Sequence, residues 1–342
     1  MNDNTTALPV PVPPTTDFSH AIETWLELEI ANGDARPDTI YNYRLWIEQW
    51  LTWCRVAGVN PAHATRQHVE LYRREMVEAK AKAGTITNKL TAVRQFYQSA
   101  VNRGLLEINP AAGVKPPVDR KVKEKKKNLT QKEAQRLLSV LPSSLKDSPH
   151  WLRDRSIIAL GLLEGLRRVE ISLANVEDIE TYEVEGEEEG DESVIMSRIL
   201  VHGKRHERYC YPRQDTVDLL MKYIAARGPI KQEEIVVDGE PVMVTPLFCG
   251  QSKKGLESGR ITRRGLNWVV DGYLKKAGLK SKDISCHALR HSCGYLTYKE
   301  TKDIRAVQDV LGHANINTSA NYAASDHKEK RYTERIKLKA EE

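Results

Sequence analysis

The sequence predicts a mainly helical protein of two domains, and three observations support this. Apolar residues recur at i, i+3 and i+4 across much of the first 110 positions and again from about Arg263 onward, the spacing of amphipathic helices. Alternation suited to strands is confined to a short stretch, Arg198 to His202 and Tyr209 to Tyr211. The chain has 342 residues, 40% of them hydrophobic and 29% charged, enough for two separate cores.

Residues 1–15 hold Pro9, Pro11, Pro13 and Pro14 in a polar setting and read as a flexible extended tail. Four helical patterns follow. The first carries Phe18, Ile22, Trp25 and Leu26, and the second Ile40, Tyr43, Trp46, Ile47, Trp50 and Leu51. The third carries Val69, Tyr72 and Met76, and the fourth Ile86, Leu90, Val93, Tyr97 and Val101. Four of the six tryptophans fall here, so residues 16–114 are expected to form a compact four-helix domain. Residues 115–128 read as a basic linker, in which Lys115, Arg120, Lys121, Lys123, Lys125, Lys126 and Lys127 outnumber Asp119 and Glu124. Such a segment is a solvated connector whose charge also suits a phosphate backbone, where each neutralised phosphate releases counterions.

The second domain, residues 129–342, opens on the capping-box pattern Thr130-Gln131-Lys132-Glu133 ahead of Leu137, Leu138 and Leu141. Ile157 to Leu163 reads as a buried helix running to Gly165. Two strands are expected to turn through Gly203-Lys204-Arg205-His206, giving a mostly helical domain with a small antiparallel sheet. Residues 177–192 contain ten acidic and no basic side chains and are expected to form a solvated loop. Setting those ten aside leaves the rest of the chain at +15 against a formal +5 overall, a balance that favours a polyanionic partner such as DNA.

Other classes are excluded. The longest apolar run, Ile157 to Leu163, is far below the roughly 20 residues of a membrane span. The start Met1-Asn2-Asp3-Asn4 lacks a signal-peptide pattern. Cys54, Cys210, Cys249, Cys286 and Cys293 show no paired spacing, which suits a reducing compartment. A soluble, cytoplasmic, nucleoid-associated protein is expected.

Five features in the second domain carry chemistry. Gly165-Leu166-Arg167-Arg168-Val169-Glu170 is at least a helix start with an Arg167–Glu170 pair at i, i+3. Val201-His202-Gly203-Lys204 sets a lysine at a hairpin tip. His287-Ala288-Leu289-Arg290-His291 places His287, Arg290 and His291 on one helical face. Leu311-Gly312-His313 ends the helix carrying Ile304, Val307 and Val310. Tyr322 follows nine residues after His313, on a short helix that Asn317 can cap. A zinc site is the rival reading of His287 and His291, with Cys286 and Cys293 nearby. Arg290 beside the cation, and the lack of a glutamate after His287, weigh against it.

In that order, Gly-Leu-Arg-x-x-Glu, the Gly-Lys hairpin, His-x-Leu-Arg-His, Leu-Gly-His and the tyrosine resemble the tyrosine recombinase (lambda-integrase-like, phage integrase) family. The resemblance covers nearly the whole chain. It implies a core-binding, SAM-like DNA-binding domain over residues 16–114 and a catalytic domain over 129–342. Only the proline-rich tail precedes the core-binding helices, so the two-domain type is expected rather than the three-domain type.

The resemblance also implies the roles. Tyr322 is the nucleophile, and with an ordinary pKa of about 10 it needs a base, for which His287 is matched with Glu170 as its support. Attack at phosphorus builds a dianionic pentacoordinate state. Arg167 and Arg290 suit its non-bridging oxygens as planar forks, and His313 adds a hydrogen bond. Lys204 is the matched acid for the 5′ oxygen, with Arg205 the alternative because the turn is shorter than the common glycine-rich form. Metal, cofactor and ATP are not implied.

A 3′-phosphotyrosyl link, a Holliday junction and a homotetramer on two duplex DNA sites are implied, with DNA wrapped between the domains. The basic segment from Lys328 to Leu338, anchored by Ile336 and Leu338, is expected to dock on a neighbouring subunit. Tyr332 is expected to be an ordinary contact residue. A type IB nicking-closing topoisomerase and a catalytically idle DNA-binding regulator are the alternatives on the same residues.

Overall fold

The computed structural model describes residues 15–30, 37–118, 128–142, 148–184, 193–203, 207–237, 240–252 and 255–312. The chain divides into two compact units, residues 1–123 and 124–342. The described part is mainly helical, with eleven α-helices and short antiparallel strand pairs.

Four helices form the first unit: α1 (Thr15–Leu28), α2 (Pro37–Val56), α3 (Arg66–Glu78) and α4 (Ala83–Asn102). Their apolar stripes meet in a core containing Trp25, Ile47, Trp50, Tyr72, Leu90, Phe96 and Tyr97. Aromatic edges lock the helices together, with Trp25 edge-on to Phe96 at 5.4 Å and Trp50 edge-on to Tyr72 at 5.2 Å. The polar tips are satisfied too. Trp50 Nε1 donates to Tyr97 Oη at 3.1 Å, and that hydroxyl donates to the Pro61 carbonyl at 2.9 Å. Core packing continues past α4 to Ala111 and Val114, where Arg94 donates to the Val114 carbonyl at 2.9 Å.

The second unit begins with α5 (Gln131–Ser139), closed by the reciprocal Thr130–Glu133 capping box. Its centre is α6 (Pro149–Leu162), which is longer than the Ile157–Leu163 run and buried from Leu152 to Leu162 apart from Arg155. A helix covered on all sides has no polar stripe, so periodicity reveals only its most apolar part. Arg153 lies fully inside, held by Asp154 Oδ1 at 2.7 Å, while Asp154 Oδ2 accepts from Tyr273 Oη at 3.1 Å. Then come α7 (Arg168–Leu173) and the strands β1 (Ile179–Val184), β2 (Val194–His202) and β3 (Glu207–Cys210). Next are α8 (Gln214–Arg227), β4 (Glu233–Val237), β5 (Glu240–Val244), β6 (Cys249–Ser252) and β7 (Gly255–Arg260). The helices α9 (Arg263–Lys276), α10 (Cys286–Thr301) and α11 (Ile304–Leu311) complete it.

One expectation is corrected. The acidic segment is not wholly a loop: β1 pairs antiparallel with β2, Ile179 facing Ile199 and Val184 facing Val194. Alternating Ile179, Thr181 and Glu183 against Glu180, Tyr182 and Val184 let a charged segment join the sheet, with Glu180 accepting from Arg198 Nε at 2.7 Å. Residues 185–192 lie outside the described residues. The expected small antiparallel sheet is β1-β2-β3, and the hairpins β4-β5 and β6-β7 accompany it among the described residues. Their mixed polar sequences carry little alternation, and tertiary pairing decides them.

Candidate active site

Helix α6 stops at a turn where Gly165 takes φ +67° and the Leu166 N–H donates back to the Leu160 carbonyl at 2.9 Å. A side chain on Gly165 is excluded twice, since a Cβ there would lie 2.5 Å from Leu311 Cδ2 and occupy left-handed backbone. The turn delivers Arg167 to the N-cap of α7 in extended backbone (φ −72°, ψ 149°). Glu170, one turn on, accepts from the Arg167 N–H at 2.7 Å through Oε2 and from Arg167 Nη1 at 2.5 Å through Oε1. The pairing at i, i+3 is therefore real, and it holds the arginine at the mouth of the turn with 39% of its side chain exposed.

Arg290 reaches the same place from α10. Its side chain is buried, 3% exposed as a residue, and donates through Nη1 to the Gly165 carbonyl at 2.5 Å and through Nη2 to the Leu311 carbonyl at 2.6 Å. One guanidinium so joins the turn before Arg167 to the turn before His313. Nη1 also lies 3.8 Å from Glu170 Oε2. Gly312 closes α11 in left-handed backbone, φ +59°.

A residue without an assigned role from the sequence completes the cluster. Arg208 on β3 projects inward, with Nη2 3.5 Å from Glu170 Oε2. The signal was available: Arg208 lies two residues from the inward-facing Cys210, so a charge occupies a core-side position of a strand. Three guanidinium groups thus surround a single carboxylate, leaving a surplus of two positive charges. That is the electrostatic complement of a phosphodiester acquiring a second negative charge.

At the base of the β2-β3 hairpin, His202 Nε2 pairs with Asp178 Oδ1 at 2.8 Å and Nδ1 with Glu207 Oε1 at 2.7 Å. These carboxylates, Asp178 foremost, raise the imidazole to about 9. Lys204 and Arg205 at the hairpin tip, together with His313 and Tyr322, lie outside the described residues.

His287 stands exposed on α10 with its ring edge-on to His291 at 4.6 Å. The Glu170 carboxylate faces Arg167, Arg208 and Arg290. A carboxylate this close to three guanidinium groups is satisfied by them. Burial pushes the neighbouring thiols of Cys286 up to about 11 and Cys293 up to about 12, and Cys293 Sγ donates to the Leu163 carbonyl at 3.3 Å. No group of three His, Cys, Asp or Glu side chains placed to hold a metal occurs among the described residues. Of the basic linker, Lys115 is exposed, while Arg120, Lys121, Lys123, Lys125, Lys126 and Lys127 lie outside the described residues. No helix among the described residues is long and apolar enough to cross a membrane.

Comparison with known families sets this chain, with its arginine cluster, among DNA strand-transferring enzymes. Residues 127–329 match the phage integrase family, and residues 26–107 match its N-terminal SAM-like domain. The tyrosine recombinase XerC of Thermodesulfovibrio yellowstonii is 30% identical over 305 residues, covering 88% of this chain and 90% of that protein. XerC of Bacillus subtilis is 29% identical over 285 residues, covering 83% and 84%. The structure of the XerH site-specific recombinase in its post-cleavage complex with a palindromic difH substrate has the same fold. Its TM-score is 0.60 at 19% identity, covering 85% of this chain and 80% of that one. The chain belongs to the tyrosine recombinases of the phage integrase family.

Proposed function

We propose that this chain is a site-specific recombinase that cuts and rejoins duplex DNA through a 3′-phosphotyrosyl intermediate on Tyr322. The observation that carries this is the triple guanidinium cluster around Glu170 in a chain of this family. Attack by the Tyr322 oxygen at phosphorus forms the O–P bond while the bond to the 5′ oxygen breaks. Arg167 and Arg290 neutralise the phosphorane and His313 donates to it. His287 takes the tyrosine proton and Lys204 supplies one to the leaving oxygen, with Arg205 the alternative donor. The phosphotyrosyl bond conserves the energy of the one broken, so a 5′ hydroxyl from a second duplex reverses the step without ATP. Two such exchanges pass through a Holliday junction in a homotetramer, with the segment 328–338 docking between subunits.

Residues 16–114 act as the core-binding domain and 129–342 as the catalytic domain. The basic linker 115–128 lies along phosphates through Lys115, Arg120, Lys121, Lys123, Lys125, Lys126 and Lys127.

The test is covalent capture from a pool of nicked duplexes of randomised sequence. A denaturation-resistant protein–DNA adduct is expected from the native chain and none from Tyr322→Phe. No adduct from the native chain overturns the enzymatic reading, and an adduct in Tyr322→Phe overturns the nucleophile. The captured sequence, placed twice on one plasmid, should give recombinant products. Relaxation of a plasmid bearing one copy, without recombinants from two, indicates a nicking-closing enzyme instead.

A further inference from the structure

The geometry points to Arg208 as a positioning residue that takes over the Glu170 carboxylate when Arg167 turns to the scissile phosphate. The inference rests on the role proposed above for Arg167. Three observations support it. Arg208 Nε and Nη2 are buried and have no hydrogen-bond partner among the described residues, although Nη2 lies only 3.5 Å from Glu170 Oε2. A guanidinium is the costliest donor to leave unmade inside a protein, so a pair of idle N–H groups beside a carboxylate calls for a use. The stem of Arg208 also lies against Gly312, where a Cβ would fall 2.3 Å from both Cδ and Nε. Glycine at that turn is what lets the arginine approach.

The third observation is that Arg167 is committed. Its Nη1 is bound to Glu170 at 2.5 Å, and the carboxylate is only 2% exposed. Removing Arg167 from a desolvated carboxylate without replacement leaves a buried charge uncompensated. Arg290 is a poor replacement, since its bonds to the Gly165 and Leu311 carbonyls hold its Nη1 at 3.8 Å from Glu170 Oε2. Arg208 needs to advance by less than about 1 Å for Nη2 to reach the normal length of a charge-assisted hydrogen bond. One N–H···O contact forms at Glu170 as another is released. No proton changes owner. Glu170 stays neutralised, and the charge of Arg167 becomes available to the phosphate.

The experiment is a kinetic cycle at Arg208 and Glu170, using a nicked duplex that the native chain captures covalently. Single-turnover rates of adduct formation are measured for Arg208→Met, Glu170→Gln and the pair, alongside DNA affinity and thermal melting. Arg208→Met should slow adduct formation by about 10²-fold, the scale of a misplaced catalytic group, with DNA affinity unchanged. In the Glu170→Gln background the same change should have little further effect, because no carboxylate remains to be transferred. An unaltered rate in Arg208→Met overturns the inference, and so does an equal fold-loss in both backgrounds. If Arg208→Met does not fold, Arg208→Gln replaces it in the cycle with the same two outcomes. Failure of the native chain to form any adduct tells against the proposed function, and is distinguishable from failure at Arg208.

Discussion

The guanidinium of Arg290 and the carbonyl of Leu311 are joined at 2.6 Å, and the same side chain holds the Gly165 carbonyl at 2.5 Å. A buried cation on α10 is thereby the tie between two turns that are 146 residues apart in sequence, each leading directly into a motif residue. A planar group with donors on separate nitrogens can make both bonds at once, and an ammonium on a flexible stem cannot hold that geometry.

Replacing that tie should therefore affect stability as well as chemistry. Arg290→Ala strands two carbonyls and is expected to lower unfolding free energy by about 2–4 kcal/mol. Arg290→Lys should recover only part of it. Urea midpoints at unchanged slope measure the loss. A value within experimental error of the native chain contradicts a structural role for the two bonds.

Gly165→Ala introduces a Cβ 2.5 Å from Leu311 Cδ2 on backbone of φ +67°. Left-handed strain and overpacking together predict a loss of about 2–4 kcal/mol. Combining it with Leu311→Ala should relieve the clash but not the strain. The double variant should then be less impaired than the sum of the two single changes.

In the first unit, Tyr97→Phe removes the hydroxyl that accepts from Trp50 Nε1 and donates to the Pro61 carbonyl. Trp50 is fully buried and Pro61 half-buried, so a loss of about 1–3 kcal/mol is expected. Trp50 fluorescence offers a local readout, and an unchanged transition argues that water replaces the hydroxyl.

His202 predicts a pH dependence with a definite sign. Its folded pKa is raised to about 9 by Asp178 and then Glu207, against about 6.5 for a free imidazole. The folded state therefore holds the proton more tightly. The contribution is fully present below about pH 6.5 and declines as pH rises through about 9. His202→Gln should flatten the melting temperature against pH across that window. Equal slopes in both proteins exclude the imidazolium bridge.

Much of the architecture was readable from local pattern. Trp25, Trp50 and Tyr97 recur at helical spacing, and all three are buried in the first unit. Thr130 and Glu133 form the capping box their spacing announces. The Arg167–Glu170 pair follows from an i, i+3 offset on one turn. Strands were harder. Ile179–Val184 carries so many carboxylates that solvation looks favourable until β2 and Arg198 are brought alongside.

By itself the sequence determined the helices, the resemblance to a family and the identity of the motif residues, because these depend on short-range spacing and residue chemistry. Tertiary structure alone decided what those residues touch. Arg208, Glu170 and Arg290 come from β3, α7 and α10, and they meet only because the turns at Gly165 and Gly312 are packed together in three dimensions. Spacing along a chain carries no information about such a meeting. Desolvation at the junction does the rest, leaving an ordinary strand arginine half-buried, with Nε and Nη2 shielded, facing a carboxylate already claimed by Arg167.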